Sequence, residues 1–194
     1  MMRTVLACAC WLGLGCASGG GSGGPNDALL RVIGGGDFAF ALSGNHMVGP
    51  KVDLTIEESS IHGVLGSQLL RLTVEGDKVF GPAPLGDVSL STQPDGPGRI
   101  VRGLYGPYKL QVRIGPDKID GTVVRNWFLQ RAADGVYRGS GAELKAPQTI
   151  VDRLGDVRLA AVLVLALANL AMEGQYAPGA PPPQVFPGSA GRTR

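Results

Sequence analysis

Beyond residue 16 this chain of 194 residues has no cysteine. Its three, Cys8, Cys10 and Cys16, crowd the N-terminus, so the remainder has no internal disulfide and no thiolate to offer a metal. Histidine is nearly as scarce, with only His46 and His62. Charge of one sign is missing too: once Arg3 is set aside, 17 basic residues face 16 acidic ones, a net of +1 that gives no electrostatic case for nucleic acid. The chain lacks G-x-S-x-G, H-E-x-x-H and any paired-histidine spacing, which excludes the common hydrolase and zinc-protease signatures. No catalytic residue, cofactor or metal ligand is assigned, and the chain is read as something other than an enzyme. Glycine, at 31 residues, is what the sequence has in quantity, and its placement organises the rest.

Residues 1–15 read as a signal peptide, with one cation at Arg3 and an apolar stretch from Val5 to Leu14. Ten residues reach about 15 Å as a helix, too short for a hydrocarbon core of about 30 Å. Leu12-Gly13-Leu14-Gly15-Cys16 resembles a bacterial lipobox, with Leu12 one place earlier than the leucine such boxes usually carry. The resemblance implies cleavage before Cys16, a diacylglycerol thioether on its sulfur and acylation, palmitate-like, of its new amino group. Two or three acyl chains give stable anchoring where one does not. Cys16 is therefore the expected lipidation site. The expected location is the cell envelope, at the outer membrane or the periplasmic face of a Gram-negative cell. Plain secretion after cleavage at Ala17 is the alternative. Residues 16–27 supply the cysteine and a Gly/Ser-rich tether, flexible because it has no apolar surface to bury.

Residues 28–174 are expected to form one domain of about 145 residues, enough for a single core. Four segments share a pattern: 38–49, 52–63, 70–81 and 110–121. Counting back from the final glycine, positions two, seven, nine and eleven are apolar in all four copies, against a hydrophobic content of 44% overall. The three earlier positions alternate with period two, marking one face of a strand. Gly44-Asn45, Gly76-Asp77 and Pro116-Asp117 supply turn formers, and Glu58-Ser59 is compatible with a turn. Two looser copies end at Gly103, after a PDGPG turn, and at Gly139. Six hairpins predict a mainly β fold of about twelve strands, an antiparallel meander or closed barrel, since closure removes exposed edges. The repeat glycines are expected at bulges or bends.

After a connector over 142–147 the period changes, and the spacing predicts a helix over 149–172. Its second half, Leu159 to Met172, is apolar on every side except Asn169, which means burial. Fourteen residues reach only about 21 Å, so the helix is expected in or against a barrel that twelve strands would leave open. A barrel closed around a hydrophobic C-terminal helix resembles the tubby-like fold, including the small LURP-type barrels. GDVRLAAVLVLALANLAM, residues 155–172, is similar to their closing helix. No motif carries over a phosphoinositide-binding residue. Residues 175–194 form a Pro/Gly-rich tail, expected to be extended or disordered.

Candidate chemistry is thin. By strand parity His46 and His62 point outward. Glu57, Glu58, Glu75, Asp77, Asp117 and Asp120 are expected at hairpin tips, as solvated turns and not a calcium loop. Gly34-Gly35-Gly36-Asp37 reads as a turn. Trp127, Phe128, Tyr105 and Tyr108 are expected to pack in the core or wall, with a ligand mouth as the alternative. The functional expectation is an envelope lipoprotein with a structural or interaction role, its partners a membrane through the anchor and an envelope protein. A carrier of a lipid or other apolar molecule, and a secreted enzyme, are the alternatives.

Overall fold

The computed structural model describes residues 28–32, 39–66 and 68–173, so the expected signal, Cys16, the tether up to residue 27, the turn 34–37 and the tail all lie outside the described residues. Twelve strands pair as six hairpins, as the repeat predicts. They are β2 (Ala39–Ser43) with β3 (His46–Gly49), β4 (Val52–Ile56) with β5 (Ser60–Leu65), β6 (Gln68–Glu75) with β7 (Lys78–Gly81), β8 (Val88–Asp95) with β9 (Gly98–Tyr105), β10 (Tyr108–Ile114) with β11 (Lys118–Val123), and β12 (Arg125–Arg131) with β13 (Val136–Gly139). β14 (Ala142–Lys145) extends this meander, and β1 (Ala28–Val32) pairs with β14 on one side and β2 on the other. The sheet is thereby a closed antiparallel barrel of fourteen strands. The two strands beyond the expected twelve, β1 and β14, belong to no repeat hairpin, and β14 occupies most of the expected connector.

Alternation within the strands decides which side faces in. Among the sixteen apolar repeat positions, fourteen are buried, Val74 is half-buried and Phe38 lies outside the described residues. The position two before each repeat glycine is filled by Met47, Ile61, Val79, Val101, Ile119 and Tyr137, every one buried. Outward positions alternate with these and carry Asp53, Arg71, Ser91, Arg102, Gln111 and Arg113. That is the reverse of a membrane-spanning barrel, whose outer wall is an apolar band.

The repeat glycines let the sheet curl. Gly63 and Gly121 have φ of +140° and +143°, a region essentially restricted to glycine, and Gly81, Gly103 and Gly139 share it. A Cβ at Gly63 would stand 2.0 Å from the Asp53 carbonyl oxygen of the adjoining strand, and one at Gly121 would stand 2.1 Å from that of Gln111. Neighbouring backbones thus approach through space that any side chain would fill.

The helical segment differs from the single helix expected over 149–172. It forms α1 (Gln148–Val151), a turn, and α2 (Val157–Glu173). Asp156 causes the restart: its Oδ1 accepts from the backbone N–H of Arg158 at 2.8 Å and of Leu159 at 3.2 Å, the work of an N-cap. The turn carries the chain from the rim into the lumen. From Leu159 to Met172 every residue of α2 is buried, which only an enclosing wall can achieve for a helix apolar on all faces. Fourteen strands spaced about 4.8 Å apart give a radius of about 11 Å before tilt. A helix of about 10–12 Å diameter on the axis meets inward side chains at that distance.

Candidate functional site

The barrel has two distinct rims. Hairpin tips at 44–45, 57–59, 76–77, 96–97, 115–117 and 132–135 form one, together with α1 and the start of α2. Strand β1 also starts at this rim, since Ala28 pairs with Leu42 beside the 44–45 tip. The connections at 50–51, 66, 82–87 and 106–107 lie at the other, where α2 ends.

The tip rim is tied down by arginines. Arg99, whose side chain is only 12% exposed, donates through Nη1 to Asp77 Oδ1 and Thr92 Oγ1, both at 2.8 Å, and through Nε to the Gly155 carbonyl at 2.8 Å. Arg153 reaches the Gly44 carbonyl at 3.1 Å and Asn45 Oδ1 at 3.2 Å. Both hold the turn before α2 against the hairpin tips. Burial raises the Asp156 carboxyl, but its bonds to Arg158 and to the backbone N–H groups of Leu159 and Arg158 outweigh that and hold it below its usual value. A cavity of about 490 Å³ opens beside this cap, between Asn45, Glu58 and Arg158. Asp156 already occupies the helix N-terminus there.

Tyr137, also at the tip rim, donates its hydroxyl to the Pro116 carbonyl at 2.6 Å. Burial pushes its pKa up to about 12, with Arg131 opposing and Asp117 adding to the rise. On the β12–β13 tip, Asp134 is held down at about 2, first by its hydrogen bond from Arg138 and then by the Val136 N–H.

The two histidines face outward as parity predicts. His46 Nε2 lies 2.7 Å from Asp53 Oδ1, both side chains at least half exposed. His62 Nδ1 is 4.0 Å from Glu57 Oε2, which already accepts from Ser60 Oγ at 2.7 Å. Thr55 separates the two histidines, pairing with His46 on one side and His62 on the other, so they share no site. A carboxylate is thus within reach of His46, on an open wall; the cavity beside the Asp156 cap is lined by other residues. No cluster of three metal-binding side chains occurs among the described residues.

Glu57, Glu58, Asp77 and Asp117 lie at hairpin tips and Glu75 at the end of β6. Asp120 is a correction: it sits within β11, opposite Arg113 and Phe128, because the turn after Ile114 is complete before Lys118. The aromatics separate. Trp127 and Tyr105 are buried, Tyr108 is half-buried, and Phe128 is exposed, so they line no common mouth. Trp127 Nε1 donates to the Val123 carbonyl at 3.2 Å, while Arg125 covers its ring at 4.7 Å. Sequence reasoning missed Arg99, Arg153 and the Asp156 cap; only Gly155-Asp156, a breaker followed by a capping residue, carried a local signal.

No family model, no curated protein and no solved structure matches this chain.

Proposed function

We propose that this chain is an exported lipoprotein of the bacterial cell envelope, anchored through an acylated Cys16 and a Gly/Ser tether, whose barrel works as an interaction module through its exterior. The observation that carries this reading is the occupied lumen. With α2 buried along its length inside the barrel, the surfaces left for recognition are the outer wall and the rims. Occupancy by the helix also favours this reading over a carrier, which needs that volume for cargo. The position of β1 is compatible with anchoring, because its first residue, Ala28, stands at the tip rim while α2 ends at the opposite one. A tether reaching Ala28 would turn the tip rim toward the membrane and the opposite rim toward a partner.

The test is mass spectrometry of the native N-terminus, with membrane partition of the chain and of Cys16→Ala. The reading expects a mass increment matching diacylglycerol and acyl groups on Cys16, and release of the variant from membranes. An unmodified chain starting at Ser18, or equal partition of both chains, would remove the anchor.

A further inference from the structure

The large apolar side chains that the barrel leaves exposed are not scattered. Val48, Leu69, Phe80 and Leu104 are each the second residue from the far end of their strand, the end opposite the hairpin tips. Each points outward, because its neighbour Met47, Leu70, Val79 or Tyr105 is buried on the inner face. Val64, half-buried on β5, stands at the same level, opposite Leu69. Phe128, the fourth residue of β12, is the one exposed large hydrophobic outside this set among the described residues. The tip ends of β3, β6 and β7 carry His46, Glu75 and Lys78 instead.

The connections at the far end contain four prolines, Pro50, Pro82, Pro84 and Pro107, and only two charged residues, Lys51 and Asp87. Beside the apolar level lie two cations: Lys109 is opposite Leu104, and Arg71 is two residues beyond Leu69 along β6. Both are exposed, and neither side chain has a partner among the described residues. The Asp53 carboxylate nearby is engaged by His46. Single apolar side chains on a surface are ordinary; a level of them around one end of a barrel is not. From β3 to β9 the set spans six of the fourteen steps around the barrel, nearly half its circumference. Val48 and Leu104 therefore face almost opposite directions, and a partner resting on one side of the wall cannot touch both. A medium that surrounds the end can. At about 3.3 Å per residue the set lies within about 7 Å of the strand ends, which matches the roughly 5–10 Å to which apolar side chains enter the boundary between headgroups and acyl chains.

We propose that this end of the barrel enters the surface of a lipid bilayer, with Val48, Leu69, Phe80 and Leu104 at the acyl boundary and Arg71 and Lys109 at the headgroups. The long stems of the two cations let their charges stay at headgroup level while the apolar residues lie below it. The contact is with the bilayer as a medium and needs no pocket for one headgroup; anionic lipid strengthens it through the cations. It does not rest on an acylated Cys16. In a chain anchored through the tip rim, the bilayer entered is a second one, facing the first.

The test uses the full-length chain as Cys16→Ala, which cannot be acylated there, and nitrogen-15 NMR with phosphatidylcholine bicelles carrying a lipid spin-labelled at the head of its acyl chain. The amide signals of Val48, Leu69, Phe80 and Leu104 should broaden, and those of Glu58, Asp77 and Asp117 at the tips should not. Adding phosphatidylglycerol should strengthen the effect by about fivefold for each cation, and Arg71→Gln with Lys109→Gln should remove that gain. Leu69→Ser with Leu104→Ser, both outward and exposed, should leave the rest of the spectrum unchanged and reduce the broadening at Val48 and Phe80 about tenfold. Phe128→Ser, outside the set, should leave the broadening as it was. Broadening confined to residues 1–15 would show that the barrel itself stays in water and would overturn the proposal. So would broadening at the tips, or indifference to the two leucine changes. A solution dimer that protects the same four residues and dissociates with Leu69→Ser and Leu104→Ser would assign the set to a second copy of the chain and overturn it equally. Failure of the Cys16 anchor leaves all of these outcomes unchanged.

Discussion

Asn169, the one polar residue in the buried length of α2, donates its Nδ2 to the hydroxyl of Tyr105 on β9 at 3.3 Å, across 64 residues of sequence. The same nitrogen lies 2.8 Å from the Leu165 carbonyl one turn earlier. Burial raises the Tyr105 pKa, while bonds from Asn169 and from the Leu85 backbone N–H oppose the rise. In a lumen lined mostly by apolar side chains, van der Waals packing alone does little to set how a helix is rotated. This polar contact adds to the ties of Arg99 and Arg153 at the other end and sets the helix's rotation, as a lone asparagine fixes register in coiled coils.

That contact is measurable by a double-mutant cycle. Tyr105→Phe alone should cost about 1 kcal/mol of stability, and its coupling with Asn169→Ala should be about 0.5–1.5 kcal/mol. Urea unfolding of the four chains supplies the numbers. Strictly additive losses would show that the two groups do not act together.

A turn glycine and a repeat glycine predict two different sizes of effect. Gly76→Ala, at φ +54° with nothing within 4 Å of the new Cβ, carries only the left-handed strain of about 1–2 kcal/mol. Gly63→Ala adds an overlap with the Asp53 carbonyl and should destabilise by more than about 3 kcal/mol, to the point of poor folding. The difference in thermal midpoint between the two variants isolates the close approach from the backbone angle.

Packing of the lumen can be probed at Leu165, fully buried on α2. Leu165→Ala should cost about 2–5 kcal/mol, because a closed wall on all sides leaves the site little room to collapse. Retention of wild-type stability would mean that the helix is not enclosed.

Alkaline pH should weaken the barrel through Tyr137. Its folded pKa of about 12 exceeds the unfolded value of about 10, so the neutral phenol stabilises the fold fully below the unfolded value. Between these values the unfolded chain has lost the proton that the folded chain retains, and stability falls as pH rises. Tyr137→Phe should flatten this fall between pH 10 and 12, read as the unfolding midpoint against pH. Tyr105, raised in the same direction, leaves a residual slope.

The parts of the molecule that could be read from sequence are those set by local periodicity. Met47, Ile61, Val79 and Ile119 all occupy the same step before a glycine, and each is buried. The all-round apolar run Leu159–Met172 likewise announced its burial. The seam did not, because β1 and β14 belong to no copy of the repeat, and their pairing joins the two ends of the sheet. The turn at 152–156 stayed hidden for a related reason. Arg99, which holds the turn at Gly155, reaches it from a strand 56 residues earlier. Ion pairing on the outer wall depends on cross-strand register in the same way. Parity shows that Arg102, Arg113 and Asp120 point outward, but not that Arg113 forgoes Asp120 for Asp95.

The seam has a bearing on the order in which the molecule can be made. Strand β14 is the last strand of the sheet and immediately precedes the segment that fills it, while its partner β1 is the first. A chain cut before β14 lacks the strand that joins the two ends of the sheet, and its inward apolar side chains have no helix to pack on. The barrel gains a centre only when residues 157–173 arrive. The last segment of the domain thus completes both the seam and the centre, and a chain stopped short of Val157 has a wall with nothing to close upon.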